Sequence, residues 1–227
     1  MNTLLIIRLS AIGDIVMASP VAAALRQHYP DAKILWLTQA ESASLLQHNP
    51  HIDDVIVWPR AEWQQLLRTH QYLKLFRTVR AFRAQLLDRN IDMAIDLQGL
   101  LKSGILAALS SAKKKVGLGS KEGSQWLMDQ VIGRDSGNTE MIGSEYRWLC
   151  QQLHLPTSPW QMSIGASEQA IENANTLIQD TICGAYIVIC PFTTRPQKHW
   201  HDSGWQSLIP KLTALNKKVI MLGGPGD

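Results

Sequence analysis

The sequence predicts an α/β fold built on a doubly wound parallel sheet, and three observations predict it. Short apolar runs alternate with helical patterns from the first residues onwards, each run is bounded by turn or polar residues, and the order strand, helix, strand requires right-handed parallel crossovers. LLIIR (4–8), ILWL (34–37), DVIVW (54–58) and MAIDL (93–97) read as strands buried on both faces, rich in Ile, Leu and Val. Between the first two, Ile15 to His28 carries Val16, Val21, Ala24 and Leu25 at helical spacing and stops at Tyr29-Pro30, where proline disfavours continuation. Ligands of such sheets bind at the carboxyl ends of the strands, and RLSAIGD (8–14) and DLQGLLKSG (96–104) both sit there.

A break in composition follows at LPTSPWQ (155–161), where two prolines and two hydroxyl residues read as a linker. The expected division is 1–158 and 159–227. In the second part, Ser167 caps the helix SEQAIENANTLIQD (167–180), AYIVIC (185–190) is a strand, SGWQSLIPKLTAL (203–215) is a helix interrupted by Pro210, and KKVIMLGG (217–224) is another strand. Two paired strands are marginal in water, so this unit is expected to be either an incomplete domain or one that docks onto the first. Self-association through 185–190 or 217–222 is the corresponding hazard.

Composition narrows the function. A chain of 227 residues with 45% hydrophobic residues buries a real core and is not disordered. Its 22 Lys+Arg against 19 Asp+Glu leave a net charge of +3, too small to imply nucleic acid, so an anionic partner must be argued from local clusters. Arg60, Arg68, Lys74, Arg77, Arg80, Arg83 and Arg89 against Glu62 and Asp88 form such a cluster. Phe76, Val79, Phe82 and Leu86 interleave with it at helical spacing, which reads as an amphipathic helix with its basic face either solvated or turned towards anionic lipid head groups. Cys150, Cys183 and Cys190 form no CxxC pair, so a reducing compartment is expected and a zinc site is not. The first 25 residues lack a basic leader region, and Arg8 and Asp14 interrupt the apolar run; the start reads as mature cytoplasmic sequence.

Three segments taken together carry a resemblance. RLSAIGDIVMASPVAAALRQHYPDAKILWL (8–37), DLQGLLKSG (96–104) and TTRPQKHW (193–200) resemble, in that order, segments of the ADP-heptose:lipopolysaccharide heptosyltransferases of glycosyltransferase family nine. The resemblance implies a GT-B fold of two Rossmann-like domains, with acceptor on the first (1–158) and nucleotide-sugar on the second (159–227), of which only the first part is present. It implies inverting transfer of heptose from ADP-heptose to the Kdo/heptose inner core of lipopolysaccharide, or to Kdo-lipid A. The expected place is the cytoplasmic face of the inner membrane, with peripheral contact and no cofactor. Two departures stand out: NTEMIGSEYRW (138–148) lacks the histidine expected near the acceptor, and the rest of the donor domain is absent.

Site residues follow from this resemblance and from chemistry. Inverting transfer needs a base for the acceptor hydroxyl, and Asp14 is the carboxylate for that role. Its alternative is a helix cap, accepting backbone N–H bonds at the positive end of the following helix. Ser10, Gly13, Lys102 and Arg60 are the expected acceptor contacts, Lys102 reading either as a holder of carboxylate or phosphate or as a surface lysine. Thr193, Thr194 and Lys198 lie between a strand and a helix, where hydroxyls, amides and a cation suit the donor diphosphate without a metal; the alternative is an ordinary turn with a solvated lysine. Asp227 follows LGGPG and is the expected ribose contact. Trp200 and Trp205 read as packing against the sheet rather than on adenine. A nicotinamide-dependent oxidoreductase, raised by the opening strand and Glu41, lacks the GxGxxG turn. A non-catalytic remnant binding acceptor or nucleotide is the other alternative.

Overall fold

Strand β1 (Thr3–Ile7) is buried along its whole length, as a central parallel strand covered by helices on both faces must be. The chain passes through residues 8–11 into two short helices, α1 (Ile12–Ala18) and α2 (Pro20–His28), and returns as β2 (Lys33–Thr38). The pattern over 15–28 predicts one helix; two form, because Pro20 has no N–H to continue α1 and takes the first position of α2 instead. Then come α3 (Ala40–Ala43), β3 (Asp54–Val57), α4 (Arg60–Arg68), α5 (Tyr72–Leu87), β4 (Met93–Asp96), α6 (Leu101–Leu109), β5 (Lys114–Leu118), β6 (Gln130–Ile132) and α7 (Ser144–Gln152). The computed structural model describes residues 1–120, 122–134, 143–181, 184–193 and 196–224.

All pairings in the first sheet are parallel, in the order β3-β2-β1-β4-β5-β6. Alternate side chains of the central strands feed two cores. Leu4, Ile6, Ile34, Trp36 and Ile95 pack against α1, α2 and α7; Leu5, Ile7, Leu35, Leu37 and Ala94 pack against α5 and α6. Each fully buried Leu or Ile contributes roughly 1.5–3 kcal/mol, so these two faces hold the carboxyl ends of β1 and β4 in place. Two expectations change. DVIVW is an edge strand, half-buried rather than covered on both faces, and β5 and β6 extend the sheet beyond the strands predicted.

The chain divides into two units, Met1–Ala166 and Ser167–Asp227. The predicted linker is part of the first. Leu155 is buried and Trp160 packs on the core around β1, while the Ser163 amide donates to Ser19 Oγ (2.8 Å) and Asn49 Nδ2 donates to the Ser163 carbonyl (3.0 Å). These contacts carry the division past 158. In the second unit α8 (Glu168–Thr181) begins with Ser167 Oγ accepting the Ala170 N–H at 3.1 Å. Strands β7 (Tyr186–Ile189) and β8 (Lys218–Met221) pair in parallel, joined through a 3-10 turn at Pro196–Lys198 and α9 (Asp202–Thr213). Helix α9 runs through Pro210 without interruption. Pro210 is exposed, and so is Gln206, the residue whose carbonyl loses its helical donor.

Candidate active site

The turn after β1 is tied down on both sides. The Arg8 amide continues the ladder to the Leu37 carbonyl (3.2 Å), the Leu9 amide donates to Gln98 Oε1 (2.8 Å), and Trp36 Nε1 donates to the Arg8 carbonyl (3.2 Å). The Arg8 side chain is buried inside this turn. Its Nη1 donates to the Leu97 carbonyl at 3.1 Å, its Nη2 meets Asp14 Oδ2 at 2.5 Å, and its guanidinium lies 5.8 Å from the Tyr146 ring centre.

Asp14 therefore does not precede a helix, as expected, but stands in the first turn of α1. Its Oδ2 accepts the Ala11 N–H (3.2 Å) as well as Arg8. The cap and the functional role are compatible, because both bonds use the same oxygen. Among the described residues Oδ1 has no partner, and the side chain is 38% exposed. One oxygen is held and the other is open.

The cations predicted nearby do gather here. Lys102 stands in the first turn of α6, half-buried. Its ammonium is pushed below the usual lysine range first by burial, then by the positive charge of Arg60 and, more weakly, of Arg8, with Glu122 acting the other way. Arg60, at the start of α4, donates to Gln39 Oε1 (3.1 Å). Ser10 is half-buried beside Arg8's end of β1. Gly13 is exposed, and a Cβ built on it would meet nothing within 4 Å; no contact among the described residues requires glycine there. Ser10, Gly13, Asp14, Arg60 and Lys102 thus share the carboxyl edge of the first sheet.

Several residues that hold this edge were not anticipated. Asp96, fully buried at the end of β4, accepts the Gln98 amide (2.9 Å), the Gly99 amide (3.1 Å) and the Ser103 hydroxyl (2.9 Å). Burial pushes its carboxyl up and these bonds partly offset that. The turn needs Gly99, whose φ is +64° and where a Cβ would lie 2.7 Å from Arg134. Arg134 donates to the Gln98 carbonyl (2.6 Å) and the Gly119 carbonyl (2.8 Å) and pairs with Glu145 (2.6 Å). The readable signal was the Asp-Leu-Gln-Gly order itself, an acid two and three residues before amides it can accept.

In the second unit the loop between β7 and α9 is closed by His199 Nε2 and the Thr193 carbonyl at 2.7 Å. Lys198 is exposed on the 3-10 turn and has no ion pair among the described residues. Thr194 and Asp227 lie outside the described residues. The Trp200 ring covers Gly204 at the start of α9 and meets Trp205 edge-on, centres 5.0 Å apart.

The sequence matches the model of the family described as glycosyltransferase family 9 (heptosyltransferase) over residues 79–227. The chain belongs to glycosyltransferase family 9. Among curated relatives, this family 9 chain is 22% identical over 226 residues to the lipopolysaccharide core heptosyltransferase OpsX of Haemophilus influenzae, covering 99% of this chain and 60% of the relative's length. Among solved structures it is similar to a family 9 glycosyl transferase from Veillonella parvula, with 19% identity and a TM-score of 0.82, covering 100% of this chain and 64% of that one. It is also similar to the E. coli heptosyltransferase WaaC with ADP-2-deoxy-2-fluoro heptose, with 22% identity and a TM-score of 0.72, covering 99% and 70%. These likenesses give the α/β fold of the GT-B glycosyltransferases.

Proposed function

We propose that this family 9 chain carries the acceptor side, and the first part of the donor side, of an inverting heptosyltransferase acting on lipopolysaccharide inner core. The observation that carries this reading is the split use of Asp14: Oδ2 is anchored by Arg8 and the Ala11 amide while Oδ1 stays open beside a cationic edge. An anchored carboxylate with one free oxygen is a positioned base.

In the proposed reaction the acceptor hydroxyl oxygen attacks the anomeric carbon of heptose from the face opposite the diphosphate. The bond to the diphosphate oxygen breaks, the hydroxyl proton passes to Asp14 Oδ1, and ADP leaves with the electron pair. Lys198 neutralises the charge that develops on ADP, and the hydroxyls of Thr193 and Thr194 donate hydrogen bonds to its diphosphate. Lys102 and Arg60 hold the carboxylates and phosphates of a Kdo-bearing lipid acceptor, so the first unit, Met1–Ala166, serves the acceptor and the second, Ser167–Asp227, the donor. The proposed place is the cytoplasmic face of the inner membrane.

The test is transfer from ADP-heptose to a Kdo-containing acceptor, followed by mass spectrometry, with Asp14→Asn. The expected result is a loss of kcat of about 10²–10⁴-fold with ADP affinity unchanged. Turnover within a few-fold of the parent would overturn the base assignment.

A further inference from the structure

Helices α4 and α5 form a hairpin whose base and tip differ in kind. At the base an aromatic ladder runs from Trp58, just past β3, to Trp63 of α4 and on to Phe82 of α5, with ring centres 5.9 and 5.6 Å apart. Further along α5, Leu86 is buried, and Arg89 pairs with Asp54 at the start of β3. Helix α5 therefore runs against the strands, level with the amino end of β3 at Arg89 and with its carboxyl end at Phe82. Continuing in that direction, Leu73 lies nine residues before Phe82, about 14 Å farther along the axis at 1.5 Å per residue. The tip stands beyond the sheet edge that bears Asp14, Arg60 and Lys102.

That tip is apolar and cationic at once. Leu73 is 80% exposed, Phe76 66%, Tyr72 59% and Leu67 of α4 50%. At 100° per residue Tyr72, Leu73 and Phe76 share an arc of about 100° on α5, centred roughly 110° around the helix from its buried Phe82 and Leu86. The sixteen residues of α5 hold Lys74, Arg77, Arg80 and Arg83 and no acid. Between Arg60 and Arg89 the chain has seven cations and two acids, so the rest, with fifteen cations and seventeen acids, is slightly negative. The chain's net positive charge resides in this hairpin.

We propose that the α4–α5 tip is a membrane-docking element that inserts Leu73 and Phe76 into an anionic lipid surface while Lys74, Arg77 and Arg80 lie among the head groups. Exposed large apolar side chains ringed by cations match the boundary between acyl chains and anionic head groups, and a polybasic patch adds attraction that salt screens. A second copy of this chain is a poorer occupant, because a two-fold contact would set the acid-free cations of one α5 against those of the other. Among the described residues no helix is long and apolar enough to cross a membrane, so attachment by this element is from one side. The proposal rests on the lipid-borne acceptor proposed above: a tip anchored in the bilayer turns the carboxyl edge of the sheet towards the surface where that acceptor lies.

The experiment is co-sedimentation with vesicles that contain no acceptor, either pure phosphatidylcholine or one-third phosphatidylglycerol. The parent, a Leu73→Ser/Phe76→Ser variant and an Arg77→Gln/Arg80→Gln variant are compared, with thermal unfolding confirming that these exposed substitutions leave the fold intact. The expected result is binding to anionic vesicles only, weakened on the order of tenfold by either pair and by raising salt. Transfer to a deacylated, water-soluble acceptor is then expected to be unchanged in both variants, which separates this proposal from the catalytic one. Equal binding to both vesicle types, binding unaffected by the substitutions, or substitutions that alter only self-association would overturn it.

Discussion

The ion pair between Arg8 and Asp14 is the contact on which the site's geometry depends, and a double-mutant cycle measures it. Arg8→Met keeps much of the side-chain volume and removes the charge; Asp14→Asn keeps the shape and an acceptor oxygen. Two unit charges about 4 Å apart are worth roughly 1 kcal/mol in water and about 4 kcal/mol at an effective dielectric near 20. Arg8's side chain is 9% exposed and Asp14's 38%, so water reaches one partner and the coupling should lie near the lower end, about 1–2 kcal/mol. Arg8→Met also loses the bond to the Leu97 carbonyl, about 1 kcal/mol, for a single-variant cost of about 2–3 kcal/mol. Asp14→Asn should cost less, about 1–2 kcal/mol, because Arg8 keeps Leu97 and the Tyr146 ring. Urea unfolding of the four proteins gives the cycle. If the two single costs add to within about 0.3 kcal/mol, the pair is uncoupled and Arg8 holds the turn through Leu97 alone.

Two further outcomes are expected. Asp92 accepts the Asn2 and Thr3 amides and Lys113 Nζ (2.6, 3.2 and 2.7 Å), and the Lys113 bond first, then the amides, lower its pKa from 3.8 to about 2. A lowered folded-state value stabilises above the unfolded pKa and is lost as pH falls through the folded one, so Asp92→Asn should cost on the order of 1 kcal/mol above pH 5 after allowing for solvent screening, and only a small part of that by about pH 2, where the folded carboxyl is half protonated; a constant cost across urea melts from pH 6 to pH 2 would refute the assignment. Lys198→Ala should weaken ADP binding by about 1.5–3 kcal/mol, the range for a charge-assisted hydrogen bond, and unchanged affinity in titration calorimetry would show that the lysine is only solvated.

Central strands were legible because burial on both faces leaves uninterrupted apolar runs: LLII and ILWL can be little else. β5 was hidden by three successive lysines at Lys113–Lys115, which leave Val116 and Leu118 as its apolar part. Those lysines fit a strand end because Lys115 pairs with Asp129 (3.1 Å) and Lys113 with Asp92. β6 is only three residues long, too short to show a period. At the site, Asp14 and Lys102 were legible since each follows a strand and opens a helix. Arg8, Gln98 and Arg134 were not, because their partners lie far along the chain: Leu9 to Gln98 and Arg8 to Leu97 each span 89 residues. Such contacts exist only once the parallel sheet has brought β1 beside β4.

The same long-range contacts bear on why a carboxylate stands in RLSAIGD at all. A helix cap needs only an acceptor for a free amide, and Asp14 supplies that to Ala11 without help. Burying a guanidinium beside it adds a desolvation penalty of several kcal/mol. Asp14 Oδ2, the Leu97 carbonyl and the face of Tyr146 compensate for part of it, while Arg8 Nε has no partner among the described residues. Stability alone would be served as well by an apolar residue at position 8 and an uncharged cap at position 14. The pair is better explained by what it fixes: Oδ2 is turned inward and bound twice, so Oδ1 is presented outward in one orientation, at an edge where Lys102 and Arg60 favour an anionic visitor. A carboxylate held this way would lose little freedom on accepting a proton, which is the property that the proposed sugar transfer would demand of it.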